Sequence, residues 1–224
     1  MTTLKQDGPL KETVLSPEHE ALGARMGVFA GWRLPLRYDQ GTVAEHLHTR
    51  SRCSLFDVCH MGEVRVAGAQ AASALDQLMP RRVSDQSVGS CRYNFLLSPT
   101  GTVIDDLIVY RLAPDEFMLV VNAGCLDADV SWLSERLGAR GTVTDFSEET
   151  AKLDLQGPEA SRVLMDLGLA SARVPSYYRS AQVDLLGHSL LLSRTGYTGE
   201  LGFELYVPAA EARDLWRGIL THDA

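Results

Sequence analysis

A chain of 224 residues, 45% hydrophobic and 22% charged, has the makeup of a globular protein with room for one large domain or two small ones. Its net charge of −8 without a dense basic run argues against nucleic acid as the main partner, because phosphate binding needs clustered cations. No apolar run is long enough for a membrane-spanning helix. The opening Met-Thr-Thr-Leu-Lys-Gln-Asp-Gly lacks a secretion signal's apolar core and a transit peptide's arginines, so the expected location is cytoplasmic.

In chain order, residues 1–15 are polar and are expected to be mobile. Thr42-x-x-Glu45 has capping-box spacing and predicts a helix through Arg50. Glu63-Val-Arg-Val-Ala-Gly-Ala-Gln-Ala-Ala72 reads as a strand, a glycine turn and a helix. Strands follow at 92–97, 103–112 and 116–121, with Ser98-Pro-Thr-Gly101 at the centre of a hairpin. Asp127 is placed to cap a helix whose Val130, Leu133 and Leu137 share a face, with Gly138 at its end.

Lys152-Leu-Asp-Leu-Gln-Gly-Pro-Glu-Ala160 then repeats the strand, glycine turn and helix, with Pro158 at the helix start. Ala160, Val163, Leu164 and Leu167 form its apolar face, ending at Gly168. Strands at 182–186 and 189–193 flank Gly187-His188, a hairpin turn. They lead to Ser193-Arg-Thr-Gly196, read as the counterpart of Ser98 to Gly101. A strand follows in which Phe203, Leu205 and Val207 alternate with Glu204 and Tyr206. Each half closes on an amphipathic helix bearing a tryptophan, Trp132 or Trp216. The period is roughly 90 residues, too long for a solenoid repeat. It predicts an α+β fold of two ferredoxin-like antiparallel sheet units with helices. No strand followed by Gly-x-Gly-x-x-Gly and a helix supports a doubly wound parallel sheet.

The chemistry-bearing residues are few. Cys53, Cys59, Cys91 and Cys125 form no Cys-x-x-Cys pair, so zinc-ribbon and thioredoxin sites are excluded. They read as reduced, mostly buried thiols. Cys59 beside His60 resembles a nucleophile with its base, but neighbours in a strand face opposite ways. Asp105 and Asp106 interrupt an apolar strand, Ile104 to Tyr110, and a carboxylate there is costly to bury without a partner. Period two puts Asp106, Ile108 and Tyr110 on one face and Asp105 on the other. Gly196 and Gly199 hold Tyr197 on a loop tip, just before Glu204 on its strand. A loop-borne aromatic next to a strand-borne carboxylate suits a flat, nitrogen-rich ligand.

Phe29-Ala-Gly-Trp32, Phe56-Asp-Val-Cys-His-Met-Gly-Glu63, Gly101-Thr-Val-Ile-Asp-Asp-Leu-Ile-Val-Tyr110, Leu155-Gln-Gly-Pro158 and the 193–204 stretch occur in order. Together they resemble the T-protein of the glycine cleavage system, a folate-dependent aminomethyltransferase, from about Leu22 to the last residue. The resemblance implies transfer of a one-carbon unit from the aminomethyl-dihydrolipoyl arm of H-protein to tetrahydrofolate, with release of ammonia and without a metal. It implies Asp106 as the catalytic residue and Met61, Tyr93, Tyr110, Tyr177, Tyr197 and Glu204 as substrate-binding positions. In that role Glu204 would accept two hydrogen bonds from the 2-amino and N3–H edge of the pterin. Arg65 stands where the family often has an apolar wall residue, and it receives no role.

The family's first domain is discontinuous. The expected division is therefore 1–60 with 147–224 as one unit and 61–146 as the other. The family continues beyond the point matching Ala224 with an arginine-bearing segment and a β-barrel domain, so the resemblance covers the folate-binding portion, in either a fragment or a shortened gene product, and a monomer is expected for a full-length form. Two alternatives stay open: a folate-binding fragment without catalysis, and a folate-dependent demethylase of N-methyl or S-methyl substrates.

Overall fold

The computed structural model describes residues 9–221. The expectations for residues 1–8 and 222–224 lie outside the described residues. From residue 9 the chain is already tied into the protein. β1 (Lys11–Glu12) is followed by α1 (Ser16–Ala21), β2 (Arg25–Phe29) and β3 (Trp32–Arg37). β3 pairs parallel with β1 and antiparallel with β2 to make a small three-stranded sheet. Leu15 is fully buried and Thr13 donates to Asp57 at 2.5 Å, so 9–15 are not a loose tail.

α2 (Gly41–Ser51) begins before the predicted capping box. Thr42 already lies inside the helix, no side chain caps Gln40, and Glu45 Oε1 instead accepts the Tyr38 amide at 2.7 Å. β4 (Ser54–Asp57) follows. Next come β5 (Gly62–Ala67), α3 (Ala71–Leu75), β6 (Cys91–Leu97), β7 (Val103–Ala113), β8 (Glu116–Val121), α4 (Leu126–Leu137) and β9 (Thr142–Asp145). Cys125, not Asp127, holds the cap position of α4, and Asp127 sits in its first turn, where a carboxylate complements the helix dipole. Gly138 ends the helix at φ +53, as its position predicted.

The second half runs β10 (Thr150–Gln156), α5 (Ala160–Asp166), β11 (Ser180–Leu185), β12 (His188–Ser193), β13 (Gly202–Pro208) and α6 (Ala212–Leu220). The β11–β12 turn is Leu186-Gly187, one residue earlier than predicted, with both residues at positive φ, the conformation a two-residue hairpin favours.

Two five-stranded antiparallel sheets result, in the orders β6-β7-β8-β5-β9 and β11-β12-β13-β10-β4. These orders match position by position, so the internal repeat is real at the level of topology. The Ser-x-Thr-Gly correspondence is not. Ser98 to Gly101 joins the first two strands of its unit, β6 and β7. Ser193 to Gly196 lies between the second and third, β12 and β13. The motif therefore matched two different connections.

Three apolar clusters explain the layering. One packs Leu15, at the entrance to α1, with α5 and α6 on the outer face of the second sheet, through Leu164 and Trp216. Another packs α3 and α4 on the first sheet, through Leu75, Leu133 and Leu137. The third joins the inner faces of the two sheets through Tyr110, Met118, Val120 and Tyr206. β10 is therefore buried on both sides, and its Lys152, Asp154 and Gln156 are as hidden as its leucines. Among the described residues no helix is long and apolar enough to cross a membrane.

Candidate functional site

A cavity of ≈ 600 Å³ opens beside the sheet–sheet contact. Its walls come from β6, β7, β8, β10 and β13, the end of β2, the turn before β5, and the loops at Asn122, Tyr178 and Tyr197. Met61, Tyr93, Asp106, Tyr197 and Glu204 all line it, although they are far apart in sequence.

Period two on β7 works as predicted. Asp106 and Ile108 face the cavity, while the Asp105 carboxylate turns to the other side. There Asp105 accepts the Asn122 amide N–H at 3.0 Å and the Asn122 side-chain Nδ2 at 2.8 Å. Asn122 Nδ2 also lies 3.1 Å from Asp106 Oδ1, so one amide group bridges the two neighbours. Tyr93 donates to the other oxygen, Asp106 Oδ2, at 3.0 Å. Asp106 thus carries one neutral donor per oxygen and keeps free acceptor capacity toward the cavity. Behind Asp105 lies Asp129 on α4. Burial, then the neighbouring Asp105 carboxyl, pushes its carboxyl up to about 8.

Glu204 is only 2% exposed, and both of its oxygens are engaged within the protein. Oε1 lies 2.9 Å from Lys152 Nζ. Oε2 accepts from Tyr110 at 2.6 Å, Thr195 at 2.6 Å and Tyr206 at 3.0 Å. Burial alone would raise its pKa, but the Lys152 charge and the Thr195 and Tyr110 hydroxyls hold it below the ordinary value. The two-pronged acceptor expected from the sequence is therefore reduced to the spare lone pair of Oε1.

Lys152 has two further acid neighbours. Asp154 Oδ1 is 3.6 Å from its Nζ. Burial raises Asp154 to about 7 and Glu63 to about 8, each against the opposing pull of Lys152. Among the described residues Glu63 Oε1 has no hydrogen-bond partner. A proton on Glu63 is what lets one cation serve three inward acids.

The Tyr197 loop is held from below. Gly196 sits at φ +140, and a Cβ there would come within 2.4 Å of the Gln156 side chain, so only glycine fits. Gln156 donates to the Thr195 carbonyl at 3.2 Å and accepts from Thr198 at 3.1 Å. Tyr197, 76% exposed, forms a rim of the cavity. Met61 contributes a wall, with its sulfur 3.5 Å from Lys152 Nζ.

Two expected positions lie elsewhere. Tyr110 is fully buried behind Glu204 and does not reach the cavity. Tyr177 is 73% exposed on the surface, and its neighbour Tyr178, held at φ +57, lines the cavity instead. Cys59 and His60 sit in a turn rather than a strand. The Cys59 thiol donates to the Lys152 carbonyl, and burial raises it well above its ordinary value, so it is no nucleophile. His60 does line the cavity, its Nδ1 without a partner among the described residues. The cysteines are free, Cys91 buried and the other three half-buried.

Lys152, Asn122, His60 and Tyr178 were missed. The signal for Lys152 was present in the alternation Lys152, Leu153, Asp154, Leu155. It reads as a solvated face until a second sheet is known to cover it.

The family model described as the GCVT N-terminal domain matches residues 15–224. An aminomethyltransferase from Moorella thermoacetica is 42% identical over 212 residues, 94% of this chain and 58% of that protein. One from Saccharopolyspora erythraea is 40% identical over 210 residues, 93% of this chain and 57% of that protein. The crystal structure of glycine cleavage system aminomethyltransferase T from Bartonella henselae superposes with a TM-score of 0.87 at 39% identity, covering 95% of this chain and 57% of that one. A chain of the heterotetrameric sarcosine oxidase from Corynebacterium sp. U-96 shares the fold, at 21% identity and a TM-score of 0.57 over 79% of this chain and 88% of its own. The chain thus spans a little under three fifths of the length of the aminomethyltransferases it matches.

Proposed function

The chain belongs to the GCVT N-terminal domain family, and from that premise we propose that it forms the tetrahydrofolate-binding core of a cytoplasmic aminomethyltransferase of glycine cleavage. The observation that supports this reading is the ≈ 600 Å³ cavity lined by Met61, Tyr93, Asp106, Tyr197 and Glu204. Its volume lies in the range of small-molecule sites, and its walls combine apolar faces with a few convergent polar groups. The pairing of β4 with β10 supports the division into 1–60 with 147–224 and 61–146.

Tetrahydrofolate, as acceptor, would supply two nitrogens that bond to the carbon delivered by the aminomethyl-dihydrolipoyl arm of H-protein, while the carbon's bonds to nitrogen and sulfur break and ammonia and the dihydrolipoyl thiol leave. The residues of this chain do the rest. Glu204 Oε1 accepts a hydrogen bond from the amino edge of the pterin, and Lys152 keeps that carboxylate charged. Tyr197 and Met61 flank the ring and exclude water from the reacting carbon. Asp106 accepts a proton at the nitrogen that attacks and stabilises the positive charge that develops beside it. Tyr93 and Asn122 fix the orientation of its oxygens.

Calorimetric titration of the chain with tetrahydrofolate tests the binding role, and a single saturable site is expected. Formation of methylene-tetrahydrofolate from aminomethyl-loaded H-protein tests the transfer. Binding without any transfer leaves a folate-binding unit. Turnover of methylated donors without H-protein identifies a demethylase.

A further inference from the structure

Behind β7 lies a carboxyl that the one-carbon chemistry does not use. Asp129 on α4 is fully buried, and among the described residues neither of its oxygens has a hydrogen-bond donor. It faces the Asp105 carboxyl, itself only 6% exposed. No lysine or arginine among the described residues offsets Asp129. Cys125 at the start of α4 and Asp106 on β7 are the other titratable groups of this corner. Burial raises the Cys125 thiol to about 11, so it stays neutral there.

Two carboxylates cannot both stay charged in a buried contact. One proton between them turns the repulsion into an O–H···O bond. Asp105 already accepts two N–H groups of Asn122, and Asp129 accepts none. The proton therefore belongs on Asp129. Burial and the neighbouring Asp105 hold it there until about pH 8.

From Asp105 the contacts run on to the cavity. Asn122 Nδ2 lies 2.8 Å from Asp105 Oδ1, and 3.1 Å from both the backbone carbonyl and Oδ1 of Asp106. The Asn122 amide is a junction: what holds it on Asp105 also fixes one oxygen of Asp106, while Tyr93 fixes the other.

We propose that Asp129 is a positioning residue for the transfer: it keeps a proton, donates it to Asp105, and so holds Asp105, Asn122 and Asp106 in one line to the cavity. This rests on the aminomethyltransferase reading above. When the proton is lost, two like charges push Asp105 off its place, and Asn122 no longer orients Asp106. Misorientation slows the proton transfer rather than weakening folate binding. Asp105→Asn escapes the effect, because it keeps one acceptor for Asn122 and removes the like charge.

The test compares the chain with Asp129→Asn, which keeps the shape, offers an N–H to Asp105 and cannot ionise. Methylene-tetrahydrofolate formation from aminomethyl-loaded H-protein is followed across the alkaline range. At about pH 7 the two should agree within about twofold. The protonated fraction of a group that titrates at about 8 falls about tenfold between about pH 7 and about pH 9. The parent's kcat should fall by about that factor relative to the variant, with KM for tetrahydrofolate little changed. Glu63 and Asp154 also titrate in this range, but they are common to both proteins. Carboxyl carbon NMR of the aspartate-labelled chain reads the proton directly, and a resonance that titrates near pH 8 and vanishes in Asp129→Asn is expected. Parallel alkaline limbs overturn the proposal and leave the transfer reading intact. So does a folded Asp129→Asn without turnover at pH 7, since the carboxylate itself would then be needed. A change confined to KM, or an Asp129 resonance that titrates in the ordinary carboxylate range, overturns it as well. A parent that forms no product at any pH overturns both.

Discussion

The Tyr110 hydroxyl on the first sheet donates to Glu204 Oε2 on the second at 2.6 Å. This bond ties the two sheets at the level of the cavity floor and charges Tyr110 with support rather than ligand contact. Tyr110→Phe removes one of three hydroxyls from a buried carboxylate. It should lower unfolding free energy by about 1–3 kcal/mol and shift tetrahydrofolate affinity only slightly. Urea unfolding alongside calorimetry checks this. An intact stability with abolished binding would return Tyr110 to the ligand.

Glu204→Gln strips the closest counterion from Lys152, which is 2% exposed. Breaking a buried pair by one partner costs about 3–5 kcal/mol. Adding Lys152→Met should recover much of that loss. A double variant no more stable than Glu204→Gln alone would show that the pair is not the source of the cost.

Asp106→Asn should reduce methylene-tetrahydrofolate formation by about 10²- to 10⁴-fold, with folate affinity little changed. Asp105→Asn should instead cost stability, since it disturbs the two Asn122 hydrogen bonds. Both are to be measured in a form of the enzyme that turns over. The opposite outcome, Asp105 essential to rate and Asp106 dispensable, would reverse the assignment of faces.

Glu63 gives a pH prediction. Burial lifts its carboxyl from the ordinary 4.5 to about 8. Between those values the folded protein keeps a proton that the unfolded chain has released. Stability from this group is therefore full below about pH 4.5, declines as pH rises, and is lost once pH passes about 8. Glu63→Gln keeps the shape and cannot ionise. Relative to the variant, the parent should lose stability steadily from pH 5 to pH 8, by at most about 1.4 kcal/mol per pH unit. Denaturant titrations at three pH values decide it, and parallel profiles would sink the prediction. Asp129 and Asp154 act in the same direction, which is why the comparison is parent against variant.

Much of this architecture was legible from pattern alone. Strand alternation separated Asp105 from Asp106, and glycine spacing exposed Tyr197. Local pattern cannot say what covers an element, and the surprises around the cavity follow from that. Lys152 and Asp154 look like a wet face, yet a second sheet buries them. Tyr110 shares the face of Asp106 but lies deeper, where the sheets touch. Tyr177 and Tyr178 are equivalent in sequence, and only the turn at Tyr178 decides which ring enters the cavity. Caps failed for a smaller reason. Glu45 and Asp127 found competing partners or positions within one turn of those expected.

The second sheet takes its edge strand β4 from before the first sheet, whereas β9, its equivalent, follows its own unit directly. During synthesis β4 therefore emerges roughly 90 residues ahead of β10, its sheet partner. At ribosomal rates of about 5–20 residues per second that is a wait of about 5–20 s. The first sheet can close in that interval, while Leu55 and Phe56 remain without a template. The final docking of β4 is a long-range closure, slow by its topology, and it is the step at which a nascent chain offers an open edge to its neighbours.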